Sequence, residues 1–170
     1  HVTVLMQETL LFHGTVRDNI ALGRPGAADE ELRRAATAAG ADRFIEALPA
    51  QYATLLAERG ANLSTGQKQL IALARVAAFN LEIVLVMDEA TASIDPETEA
   101  TIQRGLAEVM VGRTAVIIAH RLNTIRAVDR ILVLHHGELA EEGPHEELLS
   151  RGGVYARLHE LQFKDQGSRS

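Results

Sequence analysis

The sequence predicts an α/β fold built around a parallel sheet. Two apolar runs and the helix signal between them carry that reading. Ile83 to Met87 and Ala115 to Ala119 are unbroken aliphatic stretches, as expected of strands covered on both faces. Between them stands Asp95-Pro96-Glu97. Aspartate can cap a helix, proline suits the first helical position and glutamate favours the positive end of the helix dipole. Alternating strand and helix is the unit from which parallel sheets are wound.

The elements follow in order. Val2 to Met6 alternates weakly and reads as a short strand leading into Gln7. A turn and a short helix, Thr15 to Leu22, stop at Gly23-Arg24-Pro25-Gly26. Asp29 to Ala39 places Leu32, Ala35, Ala36 and Ala39 at helical spacing, and Gly40 ends it. Asp42 to Leu48 is another short helix before Pro49, with Phe44, Ile45 and Leu48 inward. From Ser64, an apolar face of Leu70, Ile71, Ala74, Ala77 and Ala78 predicts a longer helix. The helix after Asp95 turns Ile102, Leu106, Val109 and Met110 inward, and Thr114 to Ala119 is the next strand. Arg130 to His135 and Glu138 to Glu141 flank His136-Gly137 as an antiparallel pair. Pro144 to Ser150 and Val154 to Phe163 are closing helices, and Gln166 to Ser170 is a loose tail.

Composition bounds the function. A chain of 170 residues with 46% hydrophobic content supports one domain or a large piece of one. A chain of that size buries roughly 70% of its unfolded surface. The apolar runs fall far short of the ~20 residues that span a bilayer. There is no leader pattern, and a start at His1 reads as that of a fragment. The absence of cysteine excludes disulfide and thiolate-metal chemistry and agrees with a reducing compartment. A net charge of −6 without basic clusters argues against nucleic acid as a partner. His135-His136 suggests a metal pair, but adjacent strand residues face opposite ways, so a shared ion is rejected.

Two segments carry chemistry. Ser64 followed by Gln67 is a capping-box pattern, which by itself says only that a helix starts there. Gly66 adds room for close approach to the backbone, and the unpaired N–H groups of a helix start suit a phosphate. Asp88-Glu89 ends an apolar strand, the edge where open α/β sheets bind ligands. Adjacent carboxylates there are costly unless a cation or a reacting water uses them. A solvent-facing acidic turn is the alternative.

Longer context names a family. Arg59-Gly60-Ala61-Asn62 leads into Leu63-Ser64-Thr65-Gly66-Gln67, and Lys68 to Arg75 follows. Ala90-Thr91-Ala92-Ser93-Ile94-Asp95 follows the carboxylates, and His120 ends the next strand. These segments resemble the signature, Walker B, D-loop and switch regions of ATP-binding cassette (ABC) ATPases. Phe12 to Ile20 and Glu58-Arg59-Gly60 resemble stretches of the exporter branch. The likeness runs from about Val2 to about Leu161.

The resemblance implies a parallel-sheet P-loop NTPase (RecA-like) core portion plus an ABC helical subdomain, truncated on the N-terminal side. Residues 1–165 would be a partial nucleotide-binding domain: about 8–80 the helical signature subdomain, about 81–165 the core portion, and 166–170 the tail. The implied cofactors are ATP and Mg²⁺. Asp88 and Gln7 would serve the metal, partly through water. Glu89 would be the general base, His120 would hold the γ-phosphate, and Gln7 would sense both metal and water. Ser64, Thr65, Gly66, Gln67 and Asp95 would meet nucleotide across a dimer interface. The implied partners are a second nucleotide-binding domain, in a homo- or heterodimer, and a transmembrane domain touched by the Gln7 and Glu58 regions. The implied place is the cytoplasmic face of the cell membrane.

Two departures qualify the pattern. Thr65 stands where the commonest family form has glycine. No G-x-x-x-x-G-K-[ST] loop occurs, because Lys68 and Lys164 follow Gln67 and Phe163. Two copies of this chain could not complete a site. Its functions are therefore an ATPase portion of an exporter, or an inert module lending its signature helix to a complete cassette. A soluble repair or translation ABC protein fits less well, because Gly14 to Ile20 is exporter-like. Without the phosphate-loop segment, the strands at Ile83 and Ala115 are expected to expose apolar surface.

Overall fold

The computed structural model describes residues 2–5, 9–22, 24, 26–79, 83–88, 94–119 and 128–167. By its contacts the chain divides into two compact units, residues 1–118 and 119–170.

In the first unit β1 (Val2–Leu5) pairs in parallel with β4 (Ile83–Asp88), with Val2 opposite Ile83 and Leu5 opposite Val86. With β5 (Thr114–Ala119) they form a three-stranded sheet in the order β1-β4-β5. The run at Ile83 thus lies in a parallel pair with β1, and the run at Ala115 joins the same sheet. Along β5, Val116 and Ile118 are about half exposed, at 51% and 47%. That open apolar face matches the expectation for the strand at Ala115.

Helices supply the bulk of the unit's regular structure: α1 (Val16–Ile20), α2 (Asp29–Ala38), α3 (Asp42–Ala47), α4 (Thr65–Phe79) and α5 (Pro96–Met110). Their inward residues make one core, with Val16, Ile20, Leu32, Ile45, Ile71, Leu73 and Leu106 among its members. Thr15, predicted as helical, instead caps α1: it accepts from the Asp18 N–H while Asp18 accepts from the Thr15 N–H. Thr15 also belongs to β2 (Gly14–Thr15), which pairs antiparallel with β3 (Leu55–Leu56). Strands this short carry no period-2 pattern, so the sequence did not announce them. Gly105 marks a close crossing, because a Cβ there would lie 2.3 Å from the Ala39 carbonyl oxygen.

In the second unit β6 (Ile131–His135) and β7 (Glu138–Gly143) form the predicted antiparallel hairpin, with an irregularity between Val133 and Leu134. His136 sits in the turn at φ 51°. Its ring centroid is 4.1 Å from that of His135. Strand alternation therefore does not separate these two rings, because His136 has already left the strand. Two helices follow, α6 (His145–Ser150) and α7 (Val154–Gly167). Val133, Leu148 and Tyr155 form their small core. Within it His145 Nδ1 lies 2.6 Å from the Tyr155 hydroxyl. Glu141 accepts from the Val154 and Tyr155 N–H groups at 3.1 and 2.7 Å, fixing the start of α7 from the hairpin.

Candidate functional site

The start of α4 is built by its own side chains. The Gln67 N–H donates to Ser64 Oγ at 3.2 Å, and Gln67 Oε1 accepts from the Ser64 N–H at 3.0 Å. This is the predicted capping box. It places Ser64 as the cap and Thr65 as the first helical residue. A helix's first turn cannot satisfy its own donors. The N–H groups of Thr65 and Gly66 have no acceptor among the described residues. Thr65 is exposed, so its donor stands at the surface, whereas Gly66 is buried.

Gly66 is buried, and a Cβ there would meet Thr98 Cγ2 at 2.3 Å and Ile94 Cγ2 at 3.4 Å. The close approach that glycine permits is made here by a neighbouring helix of the same chain. It brings the start of α4 against the start of α5. Asp95 caps α5, accepting from the Thr98 N–H at 2.9 Å. Bonds from the Thr98 backbone and hydroxyl hold the Asp95 carboxyl below the usual carboxylate range. Ser64, Thr65, Gly66, Gln67 and Asp95 thus gather where two helix N-termini meet. Asp88 closes β4 at its C-terminal end. Gln7, Glu89 and His120 lie outside the described residues.

The loop before α4 is also shaped. Glu58–Gly60 forms a short 3-10 turn with Arg59 at φ 52° and ψ 25° and Gly60 at φ 66°. Glu58 is exposed. Asn62 accepts from the Ala57 N–H at 2.9 Å and donates to the Leu55 carbonyl at 3.2 Å, bracketing the turn. Gly60 packs against Leu11, whose Cδ1 would lie 2.8 Å from a Cβ at that position. The segment following Gln7 and the Glu58 turn are therefore neighbours.

Sequence reasoning missed two residues that organise this surface, Asn19 and Arg75. Asn19 is 1% exposed. Its side chain pairs with both backbone groups of Phe12, at 2.8 and 2.9 Å, and donates to the Thr15 carbonyl at 3.0 Å. Arg75, on α4, donates from Nε to the Asn19 carbonyl at 2.8 Å and from Nη1 to the Leu10 carbonyl at 3.1 Å. Its Nη2 reaches Asn19 Oδ1 at 3.3 Å. Burial pushes the Arg75 guanidinium below its ordinary value. The available signal was polarity out of place: a charge inside the apolar run Leu70 to Ala78, and an amide beside Ile20.

A family profile described as ABC transporter matches residues 1–92, more than half of the chain. The chain belongs to the ABC transporter family. It is 52% identical over 162 residues to the ABC transporter ATP-binding protein YknV of Bacillus subtilis, covering 95% of this chain and 27% of that one. It is 49% identical over 164 residues to an ATP-dependent lipid A-core flippase of Syntrophus aciditrophicus, covering 96% and 27%. The solved structure of a bacterial Atm1-family ABC exporter with ATP bound aligns at a TM-score of 0.84 and 43% identity, over 95% of this chain and 28% of that one. The chain thus spans about a quarter of the length of these relatives. The P-loop NTPase core and the helical subdomain predicted from the sequence are the fold that the family shares. No described helix is long and apolar enough to cross a membrane.

Proposed function

We propose that this chain is part of the ATP-hydrolysing domain of an ABC exporter, and that the complete protein couples ATP hydrolysis to transport. The observation that carries the reading is the start of α4. It is a self-capped helix N-terminus with the exposed Thr65 N–H left for an anion, in a chain of this family. Such a terminus offers oriented donors and a favourable dipole to a phosphate. The phosphate it meets is the γ-phosphate of ATP cradled by another nucleotide-binding domain.

The remaining roles follow by motif. Glu89 takes the proton of the attacking water and orients it. His120 donates a hydrogen bond to the γ-phosphate and holds Glu89 in place. Asp88 and Gln7 would hold Mg²⁺, since carboxylate and amide oxygens suit a hard cation. When bound, Mg²⁺ neutralises charge developing on the phosphoryl oxygens. Asp95 lies beside the signature start and joins the two nucleotide-binding domains. The exposed Leu10, Phe12 and Leu55, together with Glu58, form the surface that receives the transmembrane domain at the cytoplasmic face of the membrane. Residues 1–118 and 119–170 serve one nucleotide-binding domain.

The test is ATP turnover by the full-length protein. Glu89→Gln is expected to lower kcat at least about 100-fold while ATP still binds. Turnover within about twofold of the parent would overturn the reading. A second reading takes the chain as a module that lends its self-capped signature helix in trans. By either reading the 170-residue chain alone turns over no ATP. Only the second expects it to stimulate a complete cassette added to it.

A further inference from the structure

We propose that Arg75 and Asn19 are positioning residues that lock the segment after Gln7 to the signature helix, so that the two move as one body. This rests on the exporter reading above, which makes the Leu10–Phe12 surface a receiver of movement.

The geometry is that of a clamp. Arg75 leaves the third turn of α4 and spends Nε, Nη1 and Nη2 on oxygens of Leu10 and Asn19. Asn19 in turn spends its amide on the N–H and carbonyl of Phe12 and on the Thr15 carbonyl. Leu10 and Phe12 themselves remain exposed at 57% and 48%. Their backbone is therefore held while their side chains stay accessible, and the Phe12 ring centroid itself lies 5.6 Å from the Arg75 guanidinium carbon. A second guanidinium secures the far end of α4: Arg24 donates to the Ala78 carbonyl and pairs with Glu31. From Arg75 back to Thr65 the helix runs about 15 Å at 1.5 Å per residue. A displacement at Leu10–Phe12 thus reaches the phosphate-facing end without loss in the intervening structure.

Arginine is needed because its planar fork addresses acceptors in several directions from three nitrogens, whereas lysine carries its donors on one. Buried networks of this kind strengthen one another and fail together when one member is lost.

The test uses the full-length protein in liposomes. Arg75→Lys is expected to lower kcat about tenfold with the KM for ATP unchanged within about twofold, because ATP is met at the other end of the helix. Hydrogen exchange is expected to speed up in a peptide covering residues 9–15 and stay slow in one covering 65–79. Asn19→Asp keeps the oxygens facing Arg75 and the Phe12 N–H but loses the donor to Phe12 and Thr15. It is expected to show the same pattern at about two- to threefold in kcat. If Arg75→Lys does not fold, Asn19→Asp supplies both readings. The proposal is overturned if kcat and exchange over 9–15 keep parent values. It is equally overturned if both peptides lose protection together and activity merely follows the folded fraction. Glu89→Gln is run in parallel. Should it leave turnover intact, the exporter ATPase reading fails, and exchange over 9–15 then decides the clamp by itself.

Discussion

Replacing Gly66 by alanine separates two reasons for a glycine in the signature segment. In this structure the new Cβ would stand 2.3 Å from Thr98 Cγ2, and 3.4 and 3.5 Å from Ile94 Cγ2 and Thr98 Cβ. Only the first distance is a clash. Overpacking of that kind costs about 1–3 kcal/mol. Alanine's helix preference returns up to about 1 kcal/mol, less in a first turn. The net is a loss of roughly 1–2 kcal/mol, which at about 2–4 °C per kcal/mol lowers Tm by about 2–8 °C. Thr98→Ser removes the offending methyl and keeps the hydroxyl that bonds Asp95. In the Thr98→Ser background, Gly66→Ala is therefore expected to be neutral or slightly stabilising. Thermal unfolding of the four proteins of the cycle measures this change of sign. The same sign in both backgrounds would refute the packing argument. Turnover in the same proteins is informative in its own right. Stability rescued without activity assigns Gly66 a ligand-facing role as well, whereas rescue of both leaves packing as its task.

Other outcomes follow from the same geometry. Gly105→Ala drives a Cβ to 2.3 Å from the Ala39 carbonyl oxygen. Backbone cannot yield as a methyl can, so a loss at or above the upper end of the usual overpacking range, about 3 kcal/mol, is expected in denaturant unfolding. Asp18 and Asp95 are both held below the ordinary carboxylate value of 3.8, by bonds from Thr15 and Thr98. Their contribution is complete above that value and disappears as pH falls through their depressed folded values. Asp18→Asn and Asp95→Asn should flatten the acid side of a Tm-against-pH curve and leave its neutral part with the same slope. Val116→Lys with Ile118→Lys should reduce light scattering by the isolated 170-residue chain, since both side chains now expose apolar surface. Unchanged scattering would show that this face does not drive association.

Legibility from sequence followed the range of the interactions. The capping box at Ser64 and Gln67, the Asp95 cap and the hairpin at His136-Gly137 depend on residues three or four apart. They appear where the letters placed them. The β2–β3 pair was not legible, since Gly14 and Leu56 come from distant segments and two residues carry no period. Arg75 was read as one more letter of a helical run, because its partners lie 56 and 65 positions away. Gly66 was read for a ligand's approach when the nearest approach belongs to Thr98. Proximity between the starts of two helices has no local signature. The roles of Gln7, Glu89 and His120 still rest on motif alone.

The start of α4 is completed by groups of this chain alone. Ser64 and Gln67 have already fixed the turn, and Thr98 and Ile94 brace it from below. An anion docking there orders no backbone, so little of its binding free energy goes into conformational entropy. Calorimetry of the complete transporter should accordingly find a small heat-capacity change for the signature contact itself. A large one would have to originate in the closure of surfaces elsewhere.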